Sequence, residues 1–435
     1  MPDEKPGVVA APHVLPSHRK NSMLRILIIC LISGVSGAVQ SADWSQWRGP
    51  TRDCRIGDEE PWPDSIENDH LTETWRVPLG PGYSGPIVVG SRVFVTETRD
   101  ESHEVVRALD RKSGKELWNV EWKGALSVPF FANANGSWIR STPACDGKRL
   151  FVAGIRDVLV CLDVESGSEL WRVDFVDRFK SPVPAFGTAC SPLIDGEHLY
   201  MQAAASVVKV NATNGEVVWR SDIANGGLFG AGMQTSAFSS PVIETLAGKR
   251  QLVIQSRTAL GGFDLETGNE LWSVEVPAFR GMNIQTPLPI GDSIFTSTYG
   301  GGTFMFDVTA TTGGFNAKQR WKTAQQGYMS SPVVIGNDVY LHLRNQRFTC
   351  VDPDNGESRW TTTPFGKYWS MVVNDRRILA LDQRGDLLLI EASPDQFRKI
   401  ASRHVSDAET WAHLAVVGDD VFIRELNSMT VYSWK

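Results

Sequence analysis

Ala108-Leu109-Asp110-Arg111-Lys112-Ser113-Gly114-Lys115-Glu116-Leu117-Trp118 decides how this chain folds, because the stretch comes back. The same spacing returns as CLDVESGSELW (Cys161–Trp171), KVNATNGEVVW (Lys209–Trp219), GFDLETGNELW (Gly262–Trp272) and CVDPDNGESRW (Cys350–Trp360). A stretched copy with extra turn residues runs from Met305 to Trp321. In each copy an apolar residue and an Asp or Asn end a strand. The side-chain oxygen can accept N–H bonds from the turn that follows, and the Gly supplies positive φ where the chain reverses. The next strand carries Leu or Val and then Trp, a side chain large enough to fill the gap between two sheets. The unit is a β-hairpin.

A second hairpin precedes each of these. It reads as a small residue, Pro, alternating apolar residues and a Gly or Asp turn: SGPIVVGSRVFV from Ser84, STPACDGKRLFV from Ser141, CSPLIDGEHLYM from Cys190, SSPVIETLAGKRQLVI from Ser239, QTPLPIGDSIFT from Gln285 and SSPVVIGNDVYL from Ser330. The period-two alternation predicts two half-buried strands. Two hairpins make a four-stranded antiparallel unit of roughly 40–50 residues, the size of a propeller blade. Trp369–Ala392 keeps the alternation but loses the Trp hairpin, and the unit from Trp411 stops at Lys435 one strand short. The missing strand lies at the other end: Leu71-Thr72-Glu73-Thr74-Trp75-Arg76-Val77 has the Trp-bearing pattern and is expected to pair with Met429–Trp434. That closure would remove the free sheet edges of an open array. The fold expected is all-β, a single eight-bladed β-propeller over residues 71–435; seven blades is the competing count. Stacked repeats override the usual length prior of about 150 residues per domain.

The 43 Lys and Arg residues are outnumbered by 50 Asp and Glu, a net charge of −7. Nucleic-acid binding, which runs on Lys and Arg neutralising phosphates, is therefore not expected. Residues 1–41 read as a polar extension followed by a secretory signal peptide: His18-Arg19-Lys20, a short apolar run from Met23 to Ile32, and a small-residue exit ending at Ser41. Translation starts at Met1 or at Met23. The expected location is the periplasm or outside the cell, with no membrane span after cleavage. Residues 42–70 form an irregular lead-in. Past the signal stand Cys54, Cys145, Cys161, Cys190 and Cys350, an odd set with no CxxC pair, read as isolated thiols.

The hairpins such as ALDRKSGKELW resemble the tryptophan-docking motif of PQQ-like (pyrroloquinoline quinone repeat) β-propellers, from about Leu71 to Lys435. That superfamily includes quinoprotein alcohol dehydrogenases and the BamB-like outer-membrane assembly proteins. Asp43–Asp53 (DWSQWRGPTRD) resembles a segment of secreted, planctomycete-type members, in which Gly commonly follows the Arg-Asp pair; here it is Cys54. The resemblance implies Trp75, Trp118, Trp171, Trp219, Trp272, Trp321 and Trp360 as structural docking residues. Asp110, Asp163, Asp264, Asp307 and Asp352 recur at one position of the repeat and are read as turn formers. The quinoprotein enzymes hold PQQ and Ca²⁺ with a Glu, an Asn and an Asp, use a separate catalytic Asp, and usually carry a vicinal Cys-Cys disulfide. This sequence has no Cys-Cys pair, and those ligands map onto no residues in it. PQQ and calcium thus enter by resemblance only.

Function is expected where the repeats differ. The segments before each first strand supply Tyr83, Arg140, Thr188, Gln234, Asn283, Gln285, Tyr328, Met329, Tyr368, Trp369, Trp411 and His413, an aromatic and polar ring with one Arg at a channel mouth. No catalytic residues and no metal ligands are assigned. Two inter-blade stretches, Phe130–Trp138 and Phe175–Gly187, are candidates for a partner-binding rim. The expectation is a monomeric, exported binding or scaffolding module for a protein or polysaccharide partner in the cell envelope. The alternative is a PQQ- and calcium-dependent alcohol dehydrogenase. A glycan-processing enzyme would need two carboxylates facing one channel mouth.

Overall fold

The computed structural model describes residues 43–57, 61–130, 132, 136–223 and 235–434. The expected signal segment and Gln234 lie outside them. The described strands form eight four-stranded antiparallel sheets, the blades of a propeller. In the first blade the strands run Ile87–Val89, Arg92–Arg99, His103–Asp110 and Glu116–Lys123, from axis to rim. Second and third strands are buried on both faces, because a neighbouring blade covers each face; Val93 to Thr98 are consecutively buried. The fourth strands alternate instead, with one face exposed. Leu71–Pro78 pairs antiparallel with Ser428–Trp434, Leu71 opposite Trp434 and Pro78 opposite Ser428, and completes the eighth blade. Among the described residues no helix is long and apolar enough to cross a membrane, and the five cysteines are buried, free thiols.

The turn glycines of the docking hairpins have φ from 68° at Gly114 to 77° at Gly356. They also give room. A Cβ on Gly114 would sit 2.6 Å from the Trp75 ring, and one on Gly167 2.7 Å from that of Trp118. Each Trp thus lies over the turn of the next blade, and its indole N–H donates to a main-chain carbonyl there: Trp75 to Arg111 at 2.8 Å, Trp118 to Val164 at 3.0 Å, Trp171 to Ala212 and Trp219 to Leu265 at 3.1 Å, Trp321 to Pro353 at 2.8 Å, and Trp360 to Ser393 at 2.9 Å. Asp110 and Asp163 accept from turn N–H groups.

The fifth blade departs from this pattern. Its outer hairpin is lengthened (Gly302–Thr311 and Gly314–Thr323) and lies against the outer strand Glu270–Glu275 of the fourth blade. Trp272, covered by it, turns its N–H to Gln251 Oε1 of its own blade at 2.6 Å. Asp307 is consequently not a turn former. It sits within a strand, where its carboxylate accepts from Ser293 Oγ at 2.7 Å and pairs with Arg320. In the seventh blade Ala401 faces Leu389, in the register where Trp272 faces Gly262. The lead-in fills that gap: Trp62 stacks on Trp434 with ring centroids 5.3 Å apart and joins Ile66 and Ala401 in one buried cluster.

The start of the lead-in, residues 43–57, crosses the axis and bonds to or packs against all eight blades. Trp44 exchanges two main-chain bonds with Val88 in the first. Ser45 accepts from Cys145 N in the second, and Gln46 Oε1 from Ile194 N in the third. Arg52 donates to Pro192 O and, in the fourth blade, to Pro241 O, both at 2.9 Å. Trp47 Nε1 reaches Thr286 of the fifth at 2.9 Å, and Arg48 donates to Pro332 O of the sixth. Cys54 and Ile56 pair with Val373 of the seventh. His413 of the eighth packs edge-on to Trp47 at 5.2 Å. Arg48, Arg52 and Cys54 hold φ of 62°, 62° and 69°, a conformation unfavourable for side-chain-bearing residues. The φ at Cys54 gives a physical reason for Gly at the corresponding position of the segment it resembles. The plug bonds to the innermost strands or to the residues just before them, past the entry residues that line the cavity, so it closes the channel beneath that cavity.

Candidate functional site: a cavity at the channel mouth

The segments that lead into the innermost strands line the opposite end, where a cavity of about 770 Å³ opens. That volume falls within the range of ligand-holding clefts. Tyr83, Arg140, Tyr328, Met329, Tyr368, Trp369 and Trp411 all line it. His413 lies deeper, in a 120 Å³ pocket beside Trp47.

Thr188, Asn283 and Gln285 are brought to the same end but do not line the cavity. Each is fully buried and bonded within the protein. Thr188 Oγ1 donates to Asp157 at 3.1 Å, Asn283 Nδ2 donates to the Arg257 and Val276 carbonyls, and Gln285 Nε2 donates to Ser330 O at 2.8 Å. Asn283 and Gln285 satisfy backbone carbonyls and Thr188 a buried carboxylate instead of facing the opening.

The lining also includes residues the sequence reading passed over: Phe186, Phe238, Arg257, Phe279, Arg280 and Tyr299. Phe186 belongs to the Phe175–Gly187 stretch expected at the rim. Arg257 and Tyr299 sit in turns between second and third strands, which open on the same end as the entry segments. The expected single Arg is therefore three. Arg257 stacks over Phe238 at 5.1 Å and Arg280 over Phe279 at 5.0 Å.

The aromatic rings touch in series. Tyr299 meets Tyr328 at 5.3 Å, Tyr328 meets Tyr368 at 5.9 Å, Tyr368 meets Trp411 at 4.3 Å, and Trp411 stacks on Tyr83 at 4.6 Å. Tyr83 in turn meets Trp138 at 5.2 Å. Burial raises the Tyr83, Tyr328 and Tyr368 hydroxyls above their ordinary pKa, so they remain protonated. Burial lowers Arg140 and Arg257 from the usual arginine value. Among the described lining residues none is Asp or Glu.

Among the residues lining the cavity, Arg140 Nε, Trp369 Nε1 and Trp411 Nε1 are buried with no acceptor among the described residues. A donor kept from water without a partner costs about 1–3 kcal/mol.

An eight-bladed propeller of PQQ-like repeats with one end sealed and an aromatic, cationic cavity at the other is the class these features define. A family model described as outer membrane protein assembly factor BamB matches residues 102–362, and the chain belongs to that family. It is 22% identical over 355 residues to the outer membrane protein assembly factor BamB of Moranella endobia, covering 79% of this chain and 82% of that one. The solved structure of BamB from Moraxella catarrhalis aligns with a TM-score of 0.59 at 14% identity, over 84% of this chain and 98% of that one. A quinohemoprotein alcohol dehydrogenase from Pseudomonas putida HK5 aligns with a TM-score of 0.64 at 12% identity, over 90% and 80%; at that identity the likeness is one of fold.

Calcium takes six to eight oxygen ligands, carboxylates prominent among them. The described cavity residues offer three guanidinium groups and no carboxylate. Among the described residues no three His, Cys, Asp or Glu side chains converge as a metal site. The donor set does not fit the calcium centre of the quinoprotein enzymes.

Proposed function

We propose that this protein is an exported scaffold that holds a protein partner in the cell envelope during outer-membrane protein assembly, and that the partner docks at the channel mouth. The observation that carries the reading is the contrast within the axial channel. One end is filled by the chain's own lead-in. The other is left open and lined from all eight blades by aromatic rings and three arginines. The family membership supports a role in envelope assembly, and the signal-like sequence before Ala42 supports export. The absence of carboxylates from the described lining argues against a glycan-processing site there, which would need two.

Photo-crosslinking in cells tests it. A photoreactive amino acid placed at Arg344 or Lys367, exposed cations stacked over Tyr299 and Tyr368 at the mouth, is expected to trap an envelope protein that takes part in outer-membrane assembly. Adducts confined to cytoplasmic proteins, or identical with adducts from the outer strand position Leu170, would defeat the reading.

A further inference from the structure

We propose that the mouth cavity binds an acidic peptide segment of its partner, in which carboxylates adjoin an aromatic or large apolar side chain. The inference rests on the protein-docking reading above and specifies the chemistry of the docked segment. Two arcs of the cavity carry it. The first is the run of touching rings from Tyr299 through Tyr328, Tyr368 and Trp411 to Tyr83, spread over the fifth to eighth blades and the first. Such an arc offers contact area to a flat or apolar side chain at little entropic cost.

The second arc is cationic, from Arg140 in the second blade to Arg257 and Arg280 in the fourth and fifth. Arg140 donates to Gly136 O at 2.6 Å, while its Nε lacks an acceptor among the described residues. Arg344 at 4.1 Å from the Tyr299 ring and Lys367 at 5.1 Å from the Tyr368 ring add positive charge above the aromatic arc. Glu409, whose carboxylate accepts from the neutral Gln383 amide at 2.9 Å, is one anion beside these cations. A cationic mouth on a chain whose net charge is −7 is a local concentration of charge, which steers an anionic partner to that end.

The two arcs ask for two kinds of group on one ligand. A peptide chain supplies both from neighbouring side chains. Guanidinium–carboxylate bonds within a partly dry cavity are among the stronger polar contacts available to such a segment.

Fluorescence anisotropy on the chain from Ala42 onward tests this, with labelled acetyl-Asp-Glu-Trp-Asp-Glu-amide and its Asn/Gln isostere as probes. Saturable binding of the acidic peptide, at least about tenfold tighter than the isostere, is expected. Arg280→Glu, at an exposed position, should weaken it by about tenfold or more with unchanged melting temperature, and Arg140→Gln should weaken it independently. Equal affinity for the two peptides, or an unaffected Arg280→Glu variant, would overturn the inference. So would indole-3-acetate displacing the peptide with the peptide's own affinity, which would make this a small-molecule pocket. The two readings fail separately. An envelope protein still trapped from the mouth by a protein that ignores acidic peptides sinks only the peptide chemistry. Acidic-peptide binding without any envelope adduct sinks only the assembly role.

Discussion

The two ends of the axial channel use the same residue types to opposite ends. At the sealed end Arg48 and Arg52 are almost wholly buried, at 1% and 4% exposure. Arg48 bonds to Cys54 Sγ at 2.8 Å and to Pro332 O, and Arg52 bonds to carbonyls of the third and fourth blades. Burial depresses Arg52 to about 9, and those carbonyls are its compensation. At the open end Arg140, Arg257 and Arg280 stand among aromatic rings, and Arg140 Nε, Trp369 Nε1 and Trp411 Nε1 have no acceptor among the described residues. Arginine and tryptophan satisfied from within hold the ring of blades together. The arginines and rings that line the open cavity form a surface for something else.

Breaking the sealed end should have the largest effect. Arg52→Met leaves the carbonyls of Pro192 and Pro241 buried without their donor, at about 1–3 kcal/mol each. A loss of roughly 3 kcal/mol or more in denaturant unfolding is expected; a loss below about 1 kcal/mol would mean that the plug is an ornament of the fold.

At the rim, Gly167→Ala should cost about 2–4 kcal/mol, combining left-handed backbone strain with a clash on Trp118. Gly147→Ala, with φ of 91° and no atom within 4 Å of the added Cβ, should cost only the strain, about 1–2 kcal/mol. Equal melting points for the two variants would detach the docking tryptophans from blade spacing.

Charge separates the ends as well. His413 beside the plug is held near 4 by burial, so its contribution to stability is lost as pH falls from 6.5 toward 4. Glu104 and Asp157, on the mouth side, are pushed up to about 7 by burial. Each binds a proton in the folded chain that the unfolded chain has released, so stability drains away between roughly pH 4 and pH 7. Glu104→Gln removes one such drain. Its stability penalty against the parent should shrink between pH 5 and pH 7, by on the order of 1 kcal/mol per unit titrated. A penalty that grows over that range would contradict the assigned burial. The smallest effect belongs to the mouth: Arg280→Glu should leave unfolding within about 0.5 kcal/mol of the parent, as an exposed substitution does.

Much of this was legible in the residues. The Asp/Asn–Gly–Trp spacing specifies a hairpin and a docking side chain together, and the Trp75 strand signals closure because its pattern belongs to a blade that the C-terminus leaves unfinished. The ring Tyr83, Tyr328, Tyr368, Trp411 was visible as the variable part of a regular repeat. The role of residues 43–57 was not. An irregular segment carries no periodicity, and its bonds go to main-chain carbonyls that any residue could present. Arg257 and Tyr299 were missed because they lie in the second set of turns that open on the mouth. Asp307 was misread because extra residues carry the turn away from the repeat position. Thr188, Asn283 and Gln285 share the position of the lining residues but turn inward, Thr188 to the Asp157 carboxylate and the other two to backbone carbonyls.

Hydrogen exchange with and without the acidic peptide tests the central claim most directly, because it reads both ends of the channel in one experiment. The account predicts slowed exchange around Tyr83, Arg140, Tyr328 and Trp411, with no change over residues 43–57. Protection centred on the plug or on the outer strands, with the mouth unaltered, would contradict it.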